Sequence, residues 1–143
     1  MITYVDTSVV LKLLVDDEVG GDAAQRLWLE SEFVVCAEIG YAEARAAFGA
    51  MRRNGRLTPA ALRSVKAGFE ELWAQVGMVV ASRTLIRSAG DLAEQDHLRG
   101  YDAVHLAAGL AAKVDVFASA DDRLLAAAAG HRLATANPLT PRS

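Results

Sequence analysis

A single cysteine, Cys36, leaves this 143-residue chain no internal disulfide. It sits in an apolar run, so a buried thiol in a reducing compartment is expected. Basic residues are not in excess. Fifteen Lys and Arg stand against eighteen Asp and Glu, a net charge of −3. That excludes a protein that grips nucleic acid by bulk charge, so any such contact must come from a local patch or through bound metal. No apolar run is long enough to cross a bilayer. The residues before Val9 carry no Lys or Arg and include an acid, so no signal peptide is expected and the location reads as cytoplasmic. The three histidines and the cysteine lack zinc-ligand spacing. No G-x-S-x-G, Walker or dinucleotide glycine pattern occurs. With no repeat, linker or low-complexity block, residues 1–143 read as one domain.

What is present is an alternation of short apolar runs with amphipathic ones. The chain is 52% hydrophobic and 23% charged, enough apolar matter for a proper core. Ile2 to Val5 is β-branched and aromatic, a strand buried on both faces. Val9 to Val15 and Asp22 to Glu32 read as helices, then Phe33 to Cys36 as a strand. Ile39 to Arg53 is a helix closed by Asn54-Gly55. Thr58 caps the next helix, with Pro59 in its first turn, running to about Val76. Met78 to Ala81 is a strand, and Ser82 caps a helix to about Leu98. Gly100-Tyr101 breaks the chain before a helix from Asp102 to Lys113. Val116 to Ala118, a helix from Asp121 to Gly130, a weak strand from Arg132 to Ala136 and a tail from Asn137 complete the pattern. Such βα alternation implies an α/β fold with a parallel sheet between helical layers.

Four acids stand out. Asp6 follows the first strand, at the carboxyl edge where open α/β sheets bind ligands. Asp6, Thr7 and Ser8 would equally serve as a helix cap. Asp102 opens a helix apolar on nearly every face, and could simply support its N-terminus. Asp121 follows the strand Val116 to Ala118; Ser119 with Asp122 resembles a capping box that would leave Asp121 free. Glu43 shares a helical face with Ile39, Ala46 and Ala47, so it faces the core and needs a partner. Glu38 lies well round that helix, toward Arg45 and solvent. Clustered carboxylates with no Lys or Arg beside them suit a hard divalent cation such as Mg²⁺ or Mn²⁺. Without the cation, such acids would repel one another. Of the histidines, His105 lies one turn after Asp102 and reads as a hydrogen-bonded residue of a buried helix within reach of the site. Arg52, Arg53 and Arg56 form the densest basic cluster, either a local patch for a polyanion or a solvated helix end. Trp28 and Trp73 read as core or as anchors for a partner.

Tyr4-Val5-Asp6-Thr7-Ser8, Tyr41-Ala42-Glu43-Ala44-Arg45-Ala46-Ala47, Arg99-Gly100-Tyr101-Asp102-Ala103-Val104-His105-Leu106-Ala107 and Ser119-Ala120-Asp121-Asp122-Arg123-Leu124 together resemble the PIN domain of VapC-type toxins, the ribonuclease halves of type II toxin–antitoxin pairs. The resemblance runs through the whole chain, in order. It implies a PIN-like three-layer α/β/α fold on a central parallel sheet of about five strands. It implies a site of Asp6, Glu43, Asp102 and Asp121 that binds Mg²⁺ or Mn²⁺ and cleaves RNA. It also implies Thr7, Ser8 and Ser119 as hydroxyls that support the acids or touch substrate, a homodimer, and a VapB-like antitoxin over the site. Ser119 stands where threonine is common in that family, and keeps the hydroxyl.

Other readings are weaker. A phosphotransfer enzyme using Asp6 as nucleophile would want a second Asp two residues on, where Ser8 stands. A metal-independent ribonuclease would need histidines aimed at the 2′-hydroxyl. A silent interaction module of the same fold should lack an acid, and a non-toxin PIN nuclease of RNA processing would share the site but not the antitoxin. The RNA target is not encoded in any motif, since RNA is recognised through loop shape and displayed bases.

Overall fold

The structure, a computed structural model, describes residues 1–140. The last three residues of the expected tail lie outside that range. Five short strands make one parallel sheet: β1 (Ile2–Val5), β2 (Phe33–Ala37), β3 (Gly77–Val79), β4 (Val116–Ala118) and β5 (Ala134–Ala136). Their order is β3-β2-β1-β4-β5. The chain first winds outward from β1 to β3, then returns to place β4 on the other side of β1. The order therefore reverses between β1 and β4, and such a reversal opens a crevice at the carboxyl ends of the two strands.

Alternation along the strands separates two cores. On one face, Tyr4, Ala37 and Phe117 pack with α5 (Arg83–Asp96), α6 (Gly100–Ala111) and α7 (Asp122–Gly130). On the other, Val5, Val34, Cys36 and Ala118 pack with α1 (Thr7–Leu14), α2 (Gly21–Glu30), α3 (Ile39–Arg53) and α4 (Pro59–Trp73). Cys36 is a buried free thiol, as expected. Trp28 and Trp73 are half-buried, and Trp73 packs against Tyr41 and Phe69. Among the described residues no helix is long and apolar enough to cross a membrane.

Local chemistry sets most boundaries as expected. Thr58 Oγ1 accepts from Ala61 N at 3.1 Å with Pro59 in the first turn, and Ser82 Oγ accepts from Leu85 N at 3.1 Å. The break before α6 is different. Gly100 and Tyr101 are helical, and the chain turns at His97, whose φ of 55° closes α5. Histidine tolerates the left-handed region better than most residues, so no glycine marks that turn. Asp102 thus lies in the first turn of α6 rather than before it.

Candidate active site

The crevice between β1 and β4 is built around Asp6. Its backbone is extended (φ −85°, ψ 178°), which ends β1 and lets the residue cap α1. Oδ1 accepts from Val9 N at 3.3 Å and from Ser8 Oγ at 2.5 Å; Oδ2 accepts from Ser119 Oγ at 2.6 Å. The capping reading thus holds for this carboxylate. The two serines are themselves fixed. Ser8 Oγ accepts from Ala120 N and Ser119 Oγ from Asp121 N, each at 3.0 Å, so each has its own proton left for Asp6. They tie the β1–α1 turn to the β4–α7 turn. Asp6 is 6% exposed. Burial pushes its carboxyl above the ordinary range and outweighs the influence of His105 and the bonds from Ser119, Ser8 and Val9.

Glu43, in the second turn of α3, comes to the same crevice. Its Oε1 accepts from Thr7 Oγ1 at 2.9 Å and faces His105 Nε2 at 2.6 Å. Among the described residues Oε2 has no hydrogen-bond partner. Burial raises its carboxyl, but His105 and Thr7 together hold it below the usual value. The expected core face of Ile39, Glu43, Ala46 and Ala47 is not the buried one: α3 buries Gly40, Ala44, Phe48 and Met51 and leaves Ala46 exposed, so Glu43 is half-buried at the edge of that face and meets an imidazole and a hydroxyl. Glu38 is not in solvent beside Arg45. Its Oε1 accepts from Ala81 N at 2.6 Å and ties α3 to the loop after β3. It leads into α3 with helical dihedrals (φ −60°, ψ −28°), but the loop after β3 comes up to its carboxylate, a long-range contact that helical periodicity does not register. Arg45 instead meets Tyr41 and Glu70.

Asp102 and Asp121 flank the mouth. The expectation that Ser119 and Asp122 would form a capping box fails, because α7 begins at Asp122 and Ser119 lies too early and is buried. Asp121 is itself the cap, accepting from Arg123 N at 2.9 Å and Leu124 N at 3.4 Å, while Asp122 accepts from Asn137 Nδ2. The acids are also not free of basic neighbours. Arg99 Nε lies 3.3 Å from Asp102 and its guanidinium reaches to 4.0 Å of Asp121. Sequence reasoning assigned Arg99 no role. Its spacing of three before Asp102, one helical turn, was the available signal.

Arg52 and Arg53 are exposed at the far end of α3. Ten residues from Glu43 at 1.5 Å each put Arg53 about 15 Å away along the axis, so the structure does not bring them to the acids. Arg56 is engaged by Asp17 at 2.9 Å and Glu18 at 3.3 Å. Among the described residues no three acids, histidines or cysteines stand close enough to share one ion as their side chains lie. Asp102 and Asp121 turn to Arg99, Glu43 to His105 and Thr7, Asp6 to two serines. The close like-charge repulsion expected of the four acids is therefore replaced by separate pairings.

The donor set still fits a hard cation. It consists of carboxylates and hydroxyls, with Cys36 inert in the core, its thiol pushed far up by burial. Asp102 and Asp121 meet an exposed guanidinium at 3.3 and 4.0 Å, and such a pair is exchanged at small cost.

A family model described as "PIN domain" matches residues 3–130. Ribonuclease VapC45 of Mycobacterium tuberculosis is 39% identical over 110 residues, covering 77% of this chain and 76% of that protein. Among solved structures, PAE2754 from Pyrobaculum aerophilum superposes with a TM-score of 0.71 at 17% identity, covering 94% of this chain and 83% of that one. A toxin-antitoxin complex from Klebsiella pneumoniae gives 0.68 at 14% identity, covering 95% and 97%.

Proposed function

This chain belongs to the PIN-domain family, and on that premise we propose that it is a VapC-type toxin, an endoribonuclease that cleaves RNA with a divalent cation held at the β1–β4 crevice. The observation that carries the reading is Asp6, buried at the switch point of the sheet and held by two serines from adjacent turns. Residues 1–143 act as one PIN-like domain. Asp6, Glu43, Asp102 and Asp121 are the ion-holding acids, with Mg²⁺ or Mn²⁺ as the ion. Thr7, Ser8 and Ser119 orient those acids. A VapB-like antitoxin covers the crevice, two copies form a homodimer, and the toxin works on cytoplasmic RNA.

Such an ion lowers the pKa of an attacking water and neutralises charge that develops on the phosphate. The chain's own residues do the positioning. Ser8 and Ser119 aim both oxygens of Asp6, so its geometry does not depend on a mobile side chain. Thr7 and His105 grip one oxygen of Glu43 and leave the other available. Arg99, at the mouth, is placed to meet a phosphate as it gives up the acids. Arg52 and Arg53 could meet RNA only as a longer strand passes, about 15 Å from Glu43.

Purified protein mixed with structured RNA tests this. Cleavage should need Mg²⁺ or Mn²⁺, stop in excess EDTA and leave 5′-phosphate and 3′-hydroxyl ends. Asp6→Asn or Glu43→Gln should lower the rate on the order of 10²-fold or more, and expression of the wild type alone should arrest growth until a small partner is co-expressed. Cleavage in EDTA, or 2′,3′-cyclic ends, would overturn the chemistry. Cleavage without toxicity would mark a PIN nuclease outside the toxin class.

A further inference from the structure

We propose that Tyr4 and His105 form a buried chain that fixes which imidazole nitrogen carries the proton, and that His105 thereby acts as a positioning residue for Glu43. The inference rests on reading Glu43 as an ion-holding acid.

Three contacts run in line from the middle of the sheet to the crevice. Ala37 N donates to the Tyr4 hydroxyl at 3.0 Å. That hydroxyl lies 2.5 Å from His105 Nδ1, and Nε2 lies 2.6 Å from Glu43 Oε1. Tyr4 has no exposure and His105 only 2%, so water does not rearrange the first two links. The ring of Tyr4 is clamped, stacked on Phe117 at 4.8 Å and edge-on to His105 at 5.8 Å.

The direction of the chain follows from counting protons. The phenol oxygen accepts the Ala37 N–H, and its own proton needs an acceptor in a place with no water. The Cys36 thiol also lies beside the phenol, but sulfur is a weak acceptor, so His105 Nδ1 takes the proton. An ordinary phenol keeps its proton at neutral pH, so that proton is there to be donated. With Nδ1 accepting, the imidazole proton lies on Nε2 and is aimed at the carboxylate. The reverse arrangement would set a bare Nε2 lone pair 2.6 Å from a carboxylate oxygen, two acceptors facing each other.

The consequence falls on Glu43. His105 and Thr7 both donate to Oε1, which leaves Oε2 as the oxygen with no protein partner among the described residues. Two donors on one oxygen fix the plane of a carboxylate that α3 alone would leave free to rotate. Histidine is also the one polar side chain in the buried run Ala103 to Gly109, which an apolar residue would fill if packing were its whole purpose. Partners of an ion-holding carboxylate characteristically alter ion affinity by 10- to 100-fold when removed.

The test uses full-length protein labelled with ¹⁵N, with Mn²⁺ as the probe ion. In the wild type, imidazole ¹⁵N shifts of His105 should show the tautomer protonated on Nε2. Tyr4→Phe removes the donor to Nδ1 and should give a mixture of tautomers. It should also weaken Mn²⁺ binding by calorimetry about tenfold. His105→Gln, which keeps an N–H donor toward Glu43, should bind within a few-fold of wild type, and His105→Leu should bind least. Should His105→Leu not fold, the wild-type tautomer and Tyr4→Phe decide. A wild-type ring protonated on Nδ1, or Tyr4→Phe binding Mn²⁺ as tightly as wild type, overturns the proposal. If the tautomer and the Mn²⁺ losses appear as described but no RNA is cut, the positioning chain stands and the ribonuclease reading falls. A wild type that binds no Mn²⁺ overturns both.

Discussion

Arg99 occupies the place between Asp102 and Asp121 that a divalent ion would contest. Its side chain is 83% exposed, so water screens the pairing and exchange costs little. Arg99→Gln should therefore bind Mn²⁺ more tightly than wild type by calorimetry, by no more than about fivefold given the ~0–1 kcal/mol of an exposed pair. Weaker binding would show that Arg99 supports the acids rather than competing for them. Asp6 and Glu43 differ in the opposite sense. Burial lifts Asp6, whereas His105 and Thr7 overcome burial and hold Glu43 down. Asp6, the acid that its surroundings push toward protonation, is the group we expect the acid limb of cleavage to report. Ser119→Ala removes a donor that favours the ionised form. It should move that limb to higher pH by roughly one unit, the scale of a hydrogen bond to a charged group. A limb that does not move would assign the titration to another acid.

The elements that carry the site depend on close contact between α6 and the sheet. At Gly109 an added Cβ would lie 2.8 Å from the Phe117 ring, which is pinned against Tyr4. Gly109→Ala must therefore push α6 outward, and with it His105 and Asp102. We expect a loss of about 1–3 kcal/mol in urea unfolding, the usual cost of overpacking, where a free helical site would gain from alanine. A gain would mean that α6 shifts freely. Strands β1 and β4 and helix α3 were legible in the sequence because their residues follow simple patterns: short apolar runs in the strands, β-branched in β1, and the 3.6-residue repeat from Ile39 to Arg53 in the helix. The carboxyl-edge position of Asp6 came from the βα order, while the repeat placed Glu43 among core residues although the buried face of α3 is Gly40, Ala44, Phe48 and Met51. Three features escaped. The turn at His97 used a left-handed histidine instead of glycine. Glu38 meets the loop after β3, a long-range contact that helical periodicity does not register. Asp121 took over the cap because Ser119 was drawn inward by Asp6, a contact 113 residues apart. No local pattern encodes such a long-range pairing, and the same holds for Tyr4 with His105, 101 residues apart.

For the whole molecule, a single buried charge at the sheet's switch point opposes folding when no cation is bound. The four acids do not share this burden equally. Asp102 meets an exposed arginine, so Asp102→Asn should leave stability in EDTA within about 0.5 kcal/mol of wild type. Asp6 is different, since its carboxyl is raised by burial despite three donors. A raised carboxyl pKa means that the folded state takes up the proton more readily than the unfolded chain. Its contribution to stability is then fully present below the unfolded value and lost as pH rises through the folded one. Once the pH stands above the folded value, the wild type has lost it. Asp6→Asn carries no charge and escapes that loss, though its amide cannot accept from both Ser8 and Ser119, which gives back part of the gain. The balance follows the pKa direction, in which burial outweighs the hydrogen bonds. In EDTA at pH 7.5, Asp6→Asn should thus melt above wild type by a few degrees, roughly what 1 kcal/mol yields in a chain of this size. The gap should close as pH falls through the Asp6 value, because the wild type then gains its proton and the asparagine variant does not change. Mn²⁺ should raise the wild-type melting temperature, since it binds the folded site and not the unfolded chain, and should raise Asp6→Asn far less. Thermal melts of the three proteins across pH, with EDTA and with Mn²⁺, decide the matter. If Asp6→Asn melts below wild type at pH 7.5 in EDTA, Asp6 is principally a structural cap for α1.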